Sequence, residues 1–146
     1  MSALSAAKAI LEADVTLLAT ATGGVWDFDE TGRLGINRTL VGAFDANEII
    51  KPCVLLKLRS STPSGIADEG TRYSGVTEML EVWFYEDDGY SNIGTMRDRV
   101  YVLLHAVQLS GTFMCLWAGD VRQARDVDLD ASVERSVYQV ATKKSV

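Results

Sequence analysis

Side chains that could carry covalent or acid–base chemistry are few and scattered in this sequence. The only histidine is His105, and the two cysteines, Cys53 and Cys115, lie far apart in apolar runs. A zinc site needs about four nitrogen, sulfur or oxygen ligands, and nucleophilic catalysis needs a nucleophile beside a base. Neither set can be assembled from these residues. We therefore predict no enzyme activity, no cofactor and no metal, and we expect both cysteines to be small buried hydrophobic residues.

Neighbouring carboxylates are the remaining candidates for chemistry. Asp87 and Asp88 are adjacent in a predicted turn, where such pairs are usually solvated charges. Asp126, Asp128 and Asp130 alternate like part of a calcium loop, but the sequence lacks the glycine and the closing glutamate that such a loop needs. The glycines do not form a phosphate-binding or dinucleotide-binding motif either. Function must therefore be sought on surfaces.

Acidic residues concentrate between positions 68 and 88. This segment holds seven acids against one arginine, a balance that equals the formal net charge of −6 of the whole chain. Such a protein is unsuited to clamping nucleic-acid phosphates, but it would let DNA pass without sticking because like charges repel. We predict that Asp68, Glu69, Glu78 and Glu81 contribute to a negative inner surface or to a contact between subunits.

The elements that position these residues follow from hydrophobic periodicity and turn signals. Apolar residues at helical spacing predict a helix over residues 3–20, in which Asp14 caps a second short turn. The other predicted elements are strands at 25–28, 49–60, 73–85, 112–121 and 133–143, a helix at 91–109 capped by Ser91, and loops at 29–48 and 60–71. Pro52 marks the start or an edge of its strand because it cannot donate to a ladder.

This order, α-β-β-β-α-β-β, predicts one α+β domain over residues 1–146, with a mostly antiparallel sheet flanked by helices. The N-terminus lacks the pattern of a signal peptide. No run approaches the ~18 apolar residues of a membrane span. We therefore expect no membrane association and a protein kept in the cytoplasm of the cell that makes it.

The long strand at 73–85 is apolar on both faces. Leu80 and Phe84 share one face, whereas Met79, Trp83 and Tyr85 share the other. A sheet with a single core normally solvates one face. The second face therefore indicates a further layer or a partner, with a helix of the same chain as the alternative cover. We predict Trp83 and Tyr85 as interface residues.

Three stretches together resemble the tail terminator, or tail completion, proteins of long-tailed bacteriophages and their wider group of neck proteins. The first is the Ala/Leu-rich helix over 3–24, followed by a short aromatic strand at 25–28. The second is KPCVLLKLRSSTPSG at 51–65, and the third is LEVWFYEDDGYSNIGTMRDRVYVLLH at 80–105. The chain departs from the family pattern by its longer segment at 29–48.

The resemblance implies a structural virion protein that assembles as a ring, usually a hexamer, on the head-proximal end of the tail tube. Family members stop tube growth and join the tail to the head connector, and DNA passes through the ring without specific binding. The implied partners are other copies of the chain, the tail tube protein and a connector or head-closure protein. The implied location is the virion, after assembly in the host cytoplasm.

Three other classes stay open at this point. A head-closure or connector ring of the same neck would have the same composition. A small ligand-binding domain would need a pocket with converging polar groups. An interaction subunit of a cellular complex is the third.

Overall fold

The computed structural model describes residues 2–32, 35–63, 73–109, 112 and 114–145. The elements, in chain order, are helices α1 (Ala3–Glu12) and α2 (Val15–Thr20), strand β1 (Val25–Asp27), a 3-10 turn (Val41–Ala43), strands β2 (Cys53–Pro63) and β3 (Tyr73–Glu86), helix α3 (Ser91–Leu104), and strands β4 (Val107–Gln108), β5 (Met114–Asp126) and β6 (Ala131–Ser145). They confirm the predicted α+β class, and the order departs from the prediction only by a divided first helix and the short β4. No helix in these ranges is long and apolar enough to cross a membrane.

The strands form one six-stranded sheet in the order β1-β2-β3-β6-β5-β4. β1 runs parallel to β2, and all other neighbours are antiparallel. β6 lies inside the sheet between β3 and β5, so it offers no free edge to another chain. Its alternating pattern fits an interior strand as well as an edge, and only the tertiary pairing distinguishes the two.

The main hydrophobic core lies between one face of the sheet and the three helices. In α1 the buried residues Ala3, Ala7 and Leu11 recur at helical spacing and turn toward the sheet. The facing side chains come from β3 and α3, and they are Leu80, Val82, Phe84, Ile93, Met96, Val100 and Leu104. The predicted amphipathic stripe of α3 is thus its buried face.

Asp14 joins α2 to α3. It is the N-cap of α2, as predicted, and its Oδ2 accepts a hydrogen bond from the Leu17 N–H at 2.8 Å. Arg99 donates to the same carboxylate through Nε at 2.9 Å and Nη2 at 2.8 Å. The hydrogen bonds from Arg99 and then from Leu17 hold the pKa of the Asp14 carboxyl below its ordinary value of 3.8, although partial burial opposes them.

We expect Asp14→Asn to remove a pH-dependent part of the stability. A carboxyl with a depressed pKa stabilises the fold above its unfolded pKa, and this contribution disappears as the pH falls through the folded value. The difference in unfolding midpoint between wild type and Asp14→Asn should therefore be constant above about pH 5 and shrink below pH 4. Asn keeps the cap, so a pH-independent difference in urea titrations would contradict the Arg99 account.

The start of α3 differs from the prediction. Ser91 is not the N-cap; that position is Tyr90, which makes no capping bond through its side chain. Instead Glu86, at the end of β3, accepts from the backbone N–H of Asn92 at 3.2 Å and of Ile93 at 3.4 Å. A buried carboxylate satisfies the helix terminus from the preceding strand. The helix also ends earlier than expected, at Leu104, before β4 begins.

A second hydrophobic core covers part of the other sheet face. The segment 35–50, which belongs largely to the predicted 29–48 loop, packs Ile36, Phe44 and Ile50 near Leu55 and Tyr85 of the sheet. Backbone bonds fix it, including Lys51 N–H to the Ala43 carbonyl at 2.9 Å. This part of the second sheet face is therefore covered by a loop of the same chain, and not by a helix or a partner. This gives the long loop a packing role, as such loops usually need.

Candidate interaction surface

The predicted interface or lumen residues fall into three groups. Asp68 and Glu69 lie outside the described residues. Glu78 is half-buried on the helix side of β3, where it stands opposite Ser61 and Val140. The other three alternate along the opposite face of β3, and they are Glu81, Trp83 and Tyr85. The structure brings only this last group together.

Glu81 is the centre of a polar network on that face. Its side chain is 2% exposed and lies 3.7 Å from Arg59 Nε and 3.6 Å from Arg135 Nη1. Trp83 Nε1 donates to Glu81 Oε2 at 2.9 Å, and the Arg135 guanidinium stands 5.3 Å from the centre of the Trp83 ring. A buried carboxylate needs such partners because desolvation is costly. The network fixes Trp83, which remains half-buried.

Tyr85 belongs to the second hydrophobic core. It is buried among Leu55, Phe44 and Val133, and burial raises the pKa of its hydroxyl well above its ordinary value. The side chain is thus occupied by contacts within the chain.

Beyond Trp83 the second face of the sheet is only partly buried. Met79, Val137, Leu116 and Val121 belong to neither hydrophobic cluster, and Leu116 and Val121 are 43% and 46% exposed. A hollow of about 190 Å³ opens here, lined by Trp83, Val121, Ala124, Val133, Glu134 and Arg135. We call this part of the sheet surface, formed by Met79, Val137, Leu116, Val121 and the residues that line the hollow, the open face. Exposed apolar groups at one site mark interaction surfaces more often than scattered ones do.

Three cations surround the centre of the open face. Lys57 stands opposite Glu81 in the β2–β3 register, and Arg59 and Arg135 flank the same carboxylate. None of the three side chains donates a hydrogen bond to any described residue. The buried Nε of Arg135 has no hydrogen-bond partner among the described residues. In a chain of net charge −6, this face therefore carries an excess of positive charge.

The free edge of β5 is poorly suited to pairing with another strand. β4 pairs only with Met114 and Cys115 of β5, and beyond them the Trp117 N–H donates to Nδ1 of His105 at 3.0 Å. The register with β6 shifts twice, near Gly119 and near Gln123, which has a positive φ of 55°. Bulges and charged residues protect sheet edges from strand addition. The face, rather than this edge, is the better candidate surface.

A second hollow lies on the helix side, between α3 and β5. It measures about 250 Å³ and is lined by Arg97, Asp98, Tyr101, Trp117, Asp120, Arg122, Ser136 and Tyr138. Its charges are internally paired: Asp120 accepts from Ser136 Oγ at 2.6 Å and from Trp117 Nε1 at 3.0 Å. Asp120 is therefore held by the two donors. Ligand pockets typically measure about 300–1,000 Å³, so this hollow is small for one.

Tyr138 forms part of the wall of this hollow, and its hydroxyl has no hydrogen-bond partner among the described residues. An unpaired buried hydroxyl costs about 1–3 kcal/mol. We therefore expect Tyr138→Phe to raise the free energy of unfolding by about 1 kcal/mol in urea titrations. Tyr101→Phe, on the exposed wall of the same hollow, is the matched control and should have no effect. A loss of stability in Tyr138→Phe would contradict an unpaired hydroxyl.

The remaining candidates for chemistry have structural roles. Cys53 and Cys115 are buried and unbridged, as predicted, and burial raises the pKa of the Cys53 thiol to about 12 and of the Cys115 thiol to about 11. His105 stacks on Tyr101 at 4.7 Å and accepts the Trp117 N–H. Within the described ranges no three His, Cys, Asp or Glu side chains could hold a metal ion.

Comparison with known proteins defines the class of fold. No protein-family model matches the chain, and no curated protein matches its sequence. Among solved structures 26 chains match. One belongs to a particle described as the virion of a native gene transfer agent, with a TM-score of 0.66 and 14% identity over 98% of this chain and 96% of that chain. Nearly the whole chain therefore shares its fold with a protein found in a virion particle.

Proposed function

We propose that the protein is a structural virion protein that forms a ring at the head-proximal end of a phage tail tube, stops tube growth and joins the tail to the head. The observation that carries the proposal is the match over almost the full length of both chains to a protein of a virion particle. The resemblance of residues 3–28, 51–65 and 80–105 to tail terminator proteins gives the finer assignment.

The open face supports assembly with other copies. A closed ring requires a heterologous interface, in which two different surfaces of each subunit meet. The open face could be one such surface. It combines the half-buried Trp83, the exposed apolar side chains around it and cations that have no close carboxylate partner. Aromatic residues and arginine are the side chains that most often dominate binding energy at interfaces.

The acidic residues fit a DNA path. In this proposal Glu78, with Asp68 and Glu69, lies toward the lumen or a subunit contact, and repulsion keeps the passing DNA from binding. Glu81 is buried within its network and serves instead to position Trp83. No cofactor and no catalytic step belong to this function.

A head-closure or connector ring is the nearest alternative. The same fold match and the same surface support this alternative. The two functions differ in the protein to which the ring binds. We expect the purified protein to bind preassembled tail tubes in co-sedimentation, whether or not it also binds the head connector. Binding to the connector side alone would replace the terminator by a head-closure protein. A small ligand-binding domain would instead be monomeric and would bind through the hollow beside Tyr138.

A further inference from the structure

The open face carries cationic side chains that could donate hydrogen bonds to another molecule. Arg59 is half-exposed and makes one contact at 3.7 Å with the buried Glu81, while Arg135 makes one at 3.6 Å. Lys57 contacts the Phe28 ring at 4.8 Å and has no carboxylate partner among the described residues. Two arginines thus share one carboxylate beside an apolar hollow, and a lysine without a carboxylate partner among the described residues lies next to them. A segment that carries both an apolar side chain and free carboxylates would complement this face.

The opposite charge is concentrated at the end of the sheet where β5 turns into β6. The turn 127–130 exposes Val127, which is 86% accessible, between Asp126 and Asp128. Asp130 is paired with Arg125 at 2.7 Å, and Asp126 accepts from the Leu129 N–H. Asp128 is exposed and has no partner in the described part of the chain. We call residues 126–130 the acidic tip.

The neighbouring turn adds to this charge. Tyr90 donates its hydroxyl proton to the Ala124 carbonyl at 2.8 Å, which anchors the β3–α3 turn beside the β5–β6 hairpin. Asp87 and Asp88 in that turn are exposed. The acidic tip is therefore anchored to the adjacent turn, and Asp87 and Asp88 of that turn add to its negative charge.

We propose that the open face of one copy receives the acidic tip of the next copy. In this contact Val127 fills the hollow beside Trp83 and Val121, and Asp128 faces Lys57, Arg59 and Arg135. The proposal rests on the ring proposed above and names the two surfaces that meet in it.

The two surfaces meet the requirements of a ring contact. They are different patches of the same chain, so the contact is heterologous and can close on itself. The centre is apolar and aromatic and the rim is charged, which is the usual anatomy of a specific interface. Since the rim pairs cations with carboxylates across the contact, self-association should weaken as salt is raised.

The first experiment measures self-association of the full chain by light scattering and sedimentation. Asp128→Lys should weaken it by about tenfold or more, because one attraction becomes a repulsion facing three cations. Val127→Asp should act in the same direction by placing a charge in the apolar hollow. Both positions are exposed on a turn, so the unfolding midpoints should stay at the wild-type value. Asp98→Lys, an equally charged change on α3, is the control and should leave the mass unchanged.

The second experiment asks whether the two surfaces touch. Asp128→Cys and Arg59→Cys are made in separate chains, mixed and treated with a short bismaleimide; the native cysteines are buried. We expect a cross-linked pair that contains one chain of each kind, and only background when Asp98→Cys replaces Asp128→Cys. A wild type that stays monomeric at all concentrations, an unchanged mass in Asp128→Lys, or cross-linking no better than the control would each overturn the proposal.

Failure of this proposal is distinguishable from failure of the terminator function. Rings that assemble on tube ends while the tip variants behave as wild type would refute only the tip contact. Rings that depend on the tip but never bind tail tubes would keep the contact and remove the terminator function.

Discussion

Replacing Arg97 by methionine is expected to lower the free energy of unfolding by about 3–5 kcal/mol. Arg97 Nη1 lies 2.6 Å from Glu134 Oε1, and the two side chains are 16% and 2% exposed. Removing the arginine leaves Glu134 buried with little more than a long contact of 3.4 Å from the Gln123 N–H. A buried carboxylate without a counter-charge is among the costliest single defects in a fold. Urea unfolding followed by circular dichroism measures the effect.

The double variant Arg97→Met with Glu134→Leu is the matched control. Because it removes both charges, we expect it to recover most of the loss, since well-packed apolar replacements of buried ion pairs are often neutral or stabilising. A double variant as unstable as Arg97→Met alone would show that packing of the arginine stem matters more than its charge. A stable Arg97→Met would show that Glu134 finds another partner.

Replacing Trp83 by alanine is expected to weaken assembly by at least about thirtyfold, the effect of a hot spot worth 2 kcal/mol or more. Trp83 lines the hollow of the open face and is held by Glu81 and Arg135. Its loss would remove the apolar centre of the contact and leave the surrounding cations in place. Light scattering as a function of concentration measures the change in association.

Two further variants separate assembly from folding. Trp83→Phe keeps an aromatic ring but loses the N–H that bonds Glu81, so we expect it to assemble better than Trp83→Ala. Trp117→Ala changes an exposed tryptophan on the opposite face and should assemble as wild type. If Trp83→Ala loses melting temperature and oligomer mass in parallel, Trp83 is an ordinary core residue and the interface assignment is wrong.

The sequence predicted the elements well where a local pattern decides them. The stripe of α3, the cap at Asp14 and the long β3 follow from spacing and residue type over a few turns or strand positions. The burial of both cysteines follows from their apolar surroundings. These features need no knowledge of the partner across the core.

Features that depend on distant contacts were missed. Glu86 caps α3 from a strand, and no short capping pattern includes a residue at that distance. The segment 35–50 has no period because it is an irregular layer whose apolar side chains face a sheet. The interior position of β6 depends on the pairing order, which residue type alone does not specify.

The open face was predictable only in part. Trp83 was predicted as an interface residue from the apolar second face of β3, and Glu81 was predicted from the acidic segment 68–88 as part of a negative inner surface or a subunit contact. The structure joins the two side chains by a hydrogen bond. The role of Arg135 and Arg59 could not be predicted, because they come from β6 and β2 and reach Glu81 only through the sheet register. Opposite charges on neighbouring strands that are far apart in sequence carry no local signal.

The measurement that tests the central claim most directly is negative-stain imaging of preassembled tail tubes after addition of the purified protein, with the particle mass determined in parallel. The account predicts a ring on one end of each tube, a mass of several copies and no further tube growth when tube protein is added. Tubes with bare ends that continue to lengthen, beside a protein that stays monomeric, would contradict it.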